Sequence, residues 1–171
     1  MIVNLITDAN KLVDGQMVIR AVCNCHGKTW VEVSKIIGTV YKKDIRCFSE
    51  PSDMIITIGL HRYSKPTETY IHTLGAVVQK GVKQHACFEY SEELYNTLQG
   101  LLYNRVEFLE YINGRKLTDQ ELSKLIYDWG QMVWMDEMSE QAHYGPEHRK
   151  EYPFLNDESI KHLIPEFMTK K

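Results

Sequence analysis

Long apolar runs are missing from this chain. Nothing in it approaches the roughly 20 consecutive apolar residues that a membrane span needs. The opening Met1-Ile2-Val3-Asn4-Leu5-Ile6 also lacks the charged start and long apolar stretch of an export signal. The expectation is a soluble, cytoplasmic protein with no membrane partner. Charge of one sign is missing too. With 20 Lys and Arg against 23 Asp and Glu the net charge is −3, so no global basic field exists. Electrostatic capture of nucleic acid would have to come from a local patch.

Cysteine is scarce and irregular: Cys23, Cys25, Cys47 and Cys87 do not have the spacing of a disulfide framework, which favours a reducing compartment. Cys23-Asn24-Cys25-His26 does place three soft ligands in four residues. A zinc site would need a second paired half, C-x-x-C or H-x-x-x-H, and the chain has none. These thiols are therefore read as buried or incidental, with no metal assigned. GxxxxGK[ST], GxGxxG and GxSxG are absent as well, which removes support for P-loop, Rossmann and serine-hydrolase readings. No cofactor is implied. Repeats, low-complexity tracts and long linkers are lacking, so residues 1–171 are expected to form a single domain.

What the chain does have is concentrated between Met54 and Tyr95. Met54 to Leu60 is a short apolar run after Pro51, suited to an inner strand buried on both faces. From Pro66 to Lys80 the pattern predicts an amphipathic helix. Its apolar stripe would be Ile71, Leu74, Val77 and Val78, with Glu68, His72 and Gln79 on the other face.

Upstream, Ile2 to Ile6 reads as strand, while Met17 to Val22 suits helix or strand equally. Thr29-Trp30-Val31-Glu32 has the form of a capping box, which predicts a helix start. With Gly38 as a turn and Lys42, Lys43 and Arg46 beyond it, residues 28–48 resemble a helix-turn-helix. A core helix followed by a solvated basic loop is the preferred alternative. Downstream, Ser91 opens a helix with Leu94, Leu98, Leu101 and Leu102 inward. Residues 105–117 are read as a β-hairpin turning at Asn113-Gly114, over the rival of a long helix capped by Gly114. Thr118-Asp119-Gln120-Glu121 is a second capping box, opening a helix to about Glu140 that buries Leu122, Leu125, Ile126, Trp129, Met132 and Val133. Asp128, Asp136, Glu137 and Glu140 on its other faces suggest either a carboxylate site or plain solvation, and the second is preferred. Asn156 is placed to cap a last short helix. The fold class expected is α+β: a helix-rich single compact domain on a small sheet that includes 54–60 and the 105–117 hairpin.

The candidate catalytic residues are His61, Glu68, His72, His85 and Cys87. Histidines are the side chains most ready to move protons near neutral pH. Glu68, one helical turn before His72, would orient its ring, and Cys87 beside His85 or Lys83 would be a nucleophile if its thiolate were stabilised.

Two segments, HACFEYSEELY from His85 to Tyr95 and VNLITDANKLV near the start, resemble flavin-dependent thymidylate synthases. The basic RHR that precedes the first segment in that family is replaced here by Val82-Lys83-Gln84, and the chain is not assigned to it. The paired H-x-T/S motifs of two-histidine phosphoesterases are also lacking. The functional expectation is a protein that handles a nucleotide or similar small polar ligand in a His/Glu/Cys-lined cleft, as a hydrolase or transferase. Two alternatives stand beside it: a non-enzymatic protein-protein interaction subunit, and DNA binding through residues 28–48.

Overall fold

The computed structural model describes residues 4–6, 13, 15–42, 52–59, 68–72, 78–79 and 82–169, of which 34–42, 52–59, 68–72 and 78–79 are described by backbone course alone. The fold is α+β. Among the described residues seven strands come first: β1 (Met17–Cys23), β2 (Thr29–Lys42), β3 (Ser52–Gly59), β4 (Glu68–His72), β5 (Val78–Gln79), β6 (Val82–Lys83) and β7 (His85–Glu89). Helices follow: α1 (Glu92–Gly100), α2 (Arg105–Asn113), α3 (Asp119–Tyr144), a 3-10 turn at Lys161–Leu163, and α4 (Glu166–Thr169). Five strands form one sheet in the order β4-β3-β2-β1-β7, and every pairing is antiparallel. The expected strand at 54–60 is β3, and it lies inside the sheet between β2 and β4, with Leu60 outside the described residues.

β1 settles as a strand because it has partners on both sides. It pairs with β2 from Met17↔Lys35 to Cys23↔Thr29 and with β7 from Val18↔Glu89 to Val22↔His85. Its Ile19, Ala21 and Cys23 face the helices, and Val18, Arg20 and Val22 on the opposite face are buried as well.

Three expectations are corrected here. The capping box at Thr29 does not start a helix. Thr29, Val31, Val33, Ile36, Ile37, Thr39 and Val40 are β-branched, and β1 offers them a pairing edge. The Thr29 hydroxyl donates instead to the Leu102 carbonyl (2.7 Å), and Glu32 pairs with Arg20 across the sheet (3.2 Å). Gly38 sits at a register shift in the β2–β3 ladder, a bulge in place of a helix break. The helix-turn-helix therefore loses its first helix, while Lys43 and Arg46 lie outside the described residues.

Second, the described residues of the stretch Pro66–Lys80, expected to be a helix, are strands: Glu68–His72 pairs antiparallel with β3, and Val78–Gln79 pairs with β6. Third, residues 105–113 form α2 and no hairpin. Arg105, Phe108, Leu109 and Ile112 recur at helical spacing on its buried side, the Asn104 side chain accepts from Glu107 N, and Gly114 closes the helix at φ +66°. Asn-Gly supplies a left-handed residue to a helix end as readily as to a hairpin, and the core side chains decide between them.

Other expectations hold, the Asn156 cap excepted. Ser91 caps α1, and Thr118 with Glu121 completes the capping box of α3. The α3 stripe of Leu122, Leu125, Ile126, Trp129 and Val133 is buried, with Met132 half-buried. It closes the core with Phe88, Leu98, Phe108, Leu109 and Phe154. Asn156 makes no cap for the terminal segment. Its neighbour Asp157 is the buried anchor, bonded to Arg105 and to Ser159. No helix among the described residues is long and apolar enough to cross a membrane.

Candidate thiol site

The β1–β2 turn consists of Asn24, Cys25, His26, Gly27 and Lys28, and its shape is set by one side chain. Asn24 Oδ1 accepts from the amides of both His26 and Lys28 (2.9 Å each). The backbone adds Asn24 N to Lys28 O (2.9 Å) and Gly27 N to Asn24 O (3.0 Å). Gly27 takes φ +78°, and a Cβ there would come within 2.8 Å of ring atoms of Trp129 and Phe154. Only glycine combines that left-handed backbone with so close an approach. Beneath the turn, the guanidinium of Arg105 donates through Nε to the Gly27 carbonyl (2.7 Å).

Strand alternation sends Cys23 into the core, and the turn brings Cys25 out. Cys25 Sγ lies 3.4 Å from His26 Nδ1. The opposite ring nitrogen, Nε2, lies 2.5 Å from Asp136 Oδ2 on α3. The imidazole thus stands between an exposed thiol and a carboxylate, with roughly a third of the histidine side chain and half of the aspartate side chain open to solvent (29% and 46%).

The acids near Asp136 are committed elsewhere. Glu137 accepts from Lys150 N (3.0 Å) and Arg149 (3.1 Å), and these contacts, the backbone one first, hold its carboxyl below the usual range. Glu140 pairs with Lys150 (2.7 Å). The acidic face of α3 is thus largely an anchor for the tail.

This arrangement suits proton transfer better than metal binding. The two nitrogens of His26 point to different partners on opposite sides of the ring, so one ion cannot contact Cys25, His26 and Asp136 together. Cys23, the other thiol of the C-x-C-H stretch, is fully buried, which pushes its thiol up to about 12. Among the described residues no group of three or more His, Cys, Asp or Glu side chains converges as a metal site.

The residues expected from sequence fall elsewhere. His61 lies outside the described residues. Glu68 and His72 belong to β4, where four steps along the strand separate them by roughly 13 Å, so the one-turn helical pairing is gone. His85 and Cys87 belong to β7. β4 and β7 are opposite edges of the sheet, with β3, β2 and β1 between them, a distance of roughly 19 Å at the usual strand spacing. Cys87 is buried against Arg20. Burial pushes its thiol up to about 12, and the Arg20 charge offsets only part of that.

Cys25, His26 and Asp136 were each visible in the sequence, but as parts of a metal half-site and of an acidic helix face. Positions 26 and 136 are 110 residues apart, and no periodicity links them. A local signal for the turn existed: a strand-breaking Asn and a Gly flank Cys25-His26, the composition of a tight connection. No family model matches the chain, and no curated protein or solved structure matches it.

Proposed function

We propose that the chain is a thiol-dependent hydrolase or acyl transferase in which Cys25 is the nucleophile, His26 the base and Asp136 the group that orients the base. One observation carries this: a single imidazole in contact with an exposed thiol on one nitrogen and a carboxylate on the other. That is the nucleophile–base–orienter order of acyl-transfer enzymes, a constellation defined by geometry and independent of fold.

The tautomer follows from the contacts. Nε2 carries its proton and donates to Asp136, leaving Nδ1 free to accept the thiol proton. In the reaction the Cys25 S–H proton passes to Nδ1 while sulfur bonds to the electrophilic carbonyl carbon of a polar ester, thioester or amide. The imidazolium returns that proton to the leaving group as the carbon–leaving-group bond breaks. Water or another acceptor, deprotonated by the same nitrogen, then cleaves the thioester to Cys25. Asp136 remains ionised throughout and stabilises the imidazolium.

The test is an activated ester such as p-nitrophenyl acetate, read as a burst of phenolate and as a mass increase on Cys25. Acetylated Cys25 in the wild type, with no burst from Cys25→Ala or His26→Ala, is the expected result. A burst unchanged in both variants overturns the reading. The nucleotide cleft expected beside β3 has no support from this site, and the substrate class proposed is the carbonyl one.

A further inference from the structure

We propose that Arg105 is a positioning residue for Cys25 and His26, setting the height of their turn above α3; this inference rests on the thiol reading above. Arg105 opens α2 and is buried, with 7% of its side chain exposed. Its guanidinium spreads over three separate acceptors. Nε donates to the Gly27 carbonyl (2.7 Å), Nη1 to Asp157 Oδ2 (3.0 Å) and Nη2 to the Pro153 carbonyl (3.0 Å). The Arg105 amide also donates to Asp157 Oδ2 (2.9 Å), so the carboxylate fixes main chain and side chain together.

The contact on Gly27 is the one that bears on the site, because Gly27 directly follows His26. From below, the fork draws the Gly27 carbonyl inward. The rings of Trp129 and Phe154, which would lie 2.8 Å from any Cβ at Gly27, prevent it from sinking further. Trp129 and Asp136 lie two turns apart on one side of the same helix. The helix that supports the turn from underneath is therefore the one that presents the carboxylate to His26. A shift of the Gly27 peptide by 1 Å would separate His26 from Asp136, and displacements of that size in an assembled site cost up to about 10²-fold in rate.

A staple of α2 to the tail would not need the contact to Gly27. Asp157 alone already ties the α2 amide to the tail segment. The fork geometry is also specific to arginine, since a lysine ammonium cannot reach three divergent acceptors.

The experiment compares wild type, Arg105→Lys, Asp157→Asn and His26→Ala in the full chain. It measures the rate of Cys25 alkylation by iodoacetamide across pH, with thermal melts alongside, and includes Leu98→Val, a change to a buried core side chain that makes none of the Arg105 contacts. In Arg105→Lys we expect a cooperative melt and a Cys25 rate near neutral pH lowered about tenfold or more, with a pH profile that matches His26→Ala. Asp157→Asn, which leaves the Gly27 contact in place, should move the profile the same way by less, and it reports even if Arg105→Lys does not fold. Leu98→Val should lower the melting temperature and leave the profile alone. Wild-type profiles in both Arg105→Lys and Asp157→Asn overturn the positioning role while leaving the thiol site standing. A wild-type profile already identical to that of His26→Ala overturns both.

Discussion

Among its described residues the chain sets a cysteine beside a histidine twice, once in the β1–β2 turn and once on the β7 edge strand, and the two pairs are chemical opposites. In the turn, Cys25 is exposed and 3.4 Å from a ring that a carboxylate holds on its far side. On β7, Cys87 lies two residues from His85, on the same face, yet it is 1% exposed and its thiol is pushed up to about 12. A buried thiol stays protonated because the low-dielectric interior disfavours the thiolate, and neighbouring Arg20 does not recover that cost. Nearness in sequence was equal in kind. Solvent access to the thiol separates the two.

The largest effect expected from this contrast is all or none. Cys25→Ala should remove essentially all thiol labelling of the native protein at its described cysteines, whereas Cys87→Ala should leave labelling intact and lower stability. Site-resolved mass spectrometry after brief iodoacetamide treatment decides it. Cys87 modified ahead of Cys25 would reverse the comparison.

Next in size is the floor of the turn. Phe154 is fully buried and packs on Trp129 with ring centroids 5.5 Å apart. Phe154→Ala should cost about 3–5 kcal/mol by denaturant melt, since it leaves a cavity under Gly27. A loss below about 1 kcal/mol would mean that the turn does not rest on that ring.

Asp136→Asn comes third. Asparagine preserves the shape and removes the charge that holds the imidazolium, and a misassigned tautomer is the usual consequence. Turnover of the activated ester should fall roughly 10²-fold. Glu32→Gln, on the sheet face beside Cys87's partner Arg20, should leave turnover unchanged. Equal losses from the two would point to general destabilisation.

The buried thiols also make an alkaline prediction. Cys23 and Cys87 move from 9.0 to about 12 on folding. A raised folded value means stability that is present below pH 9 and lost as the pH climbs from about 9 towards about 12, because the unfolded thiols ionise first. Cys87→Ala should flatten part of that decline in urea midpoints. An unchanged alkaline slope would place the Cys87 thiol in water.

How much of this could be read from sequence differs by region, and the two capping-box sequences explain why. Thr118-x-x-Glu121 and Thr29-x-x-Glu32 share one pattern. The first precedes Leu122, Leu125, Ile126 and Trp129, a stripe that only a helix can bury on one side, so local signal and core demand agree. The second precedes alternating β-branched residues opposite β1, and pairing with a distant strand outweighs the local preference. The same cause overturned Pro66–Lys80, where β3 recruits Glu68–His72, and inverted Asn113-Gly114, where the inward Phe108, Leu109 and Ile112 select a helix. Helices α1 and α3 were legible because their determinants are local. The candidate site was not, because Asp136 meets His26 only after a sheet and three helices have packed.

The smallest effect follows from that same pair of threonines. Thr118 Oγ1 accepts from Glu121 N (3.1 Å), and Glu121 returns to Thr118 N (3.0 Å). Thr118→Ala should therefore cost about 1 kcal/mol, the usual value of an N-cap. Thr29 caps no helix and donates to Leu102 O, so Thr29→Ser, which keeps that hydroxyl, should be milder still. The acid limb gives a second readout. The forked contact from Arg115, reinforced by the Thr118 amide, holds the Glu121 carboxyl at about 2. A depressed folded value means stability present above the ordinary carboxylate range and lost as the pH falls from about 4.5 through about 2. Glu121→Gln should abolish that part of the acid dependence and leave the alkaline side untouched. Because Arg115 is exposed and Glu121 only half-buried, solvent screens the pair, and the change will be small and will shrink with added salt. An acid limb identical in wild type and Glu121→Gln would show that the capping box forms without its ionised carboxylate.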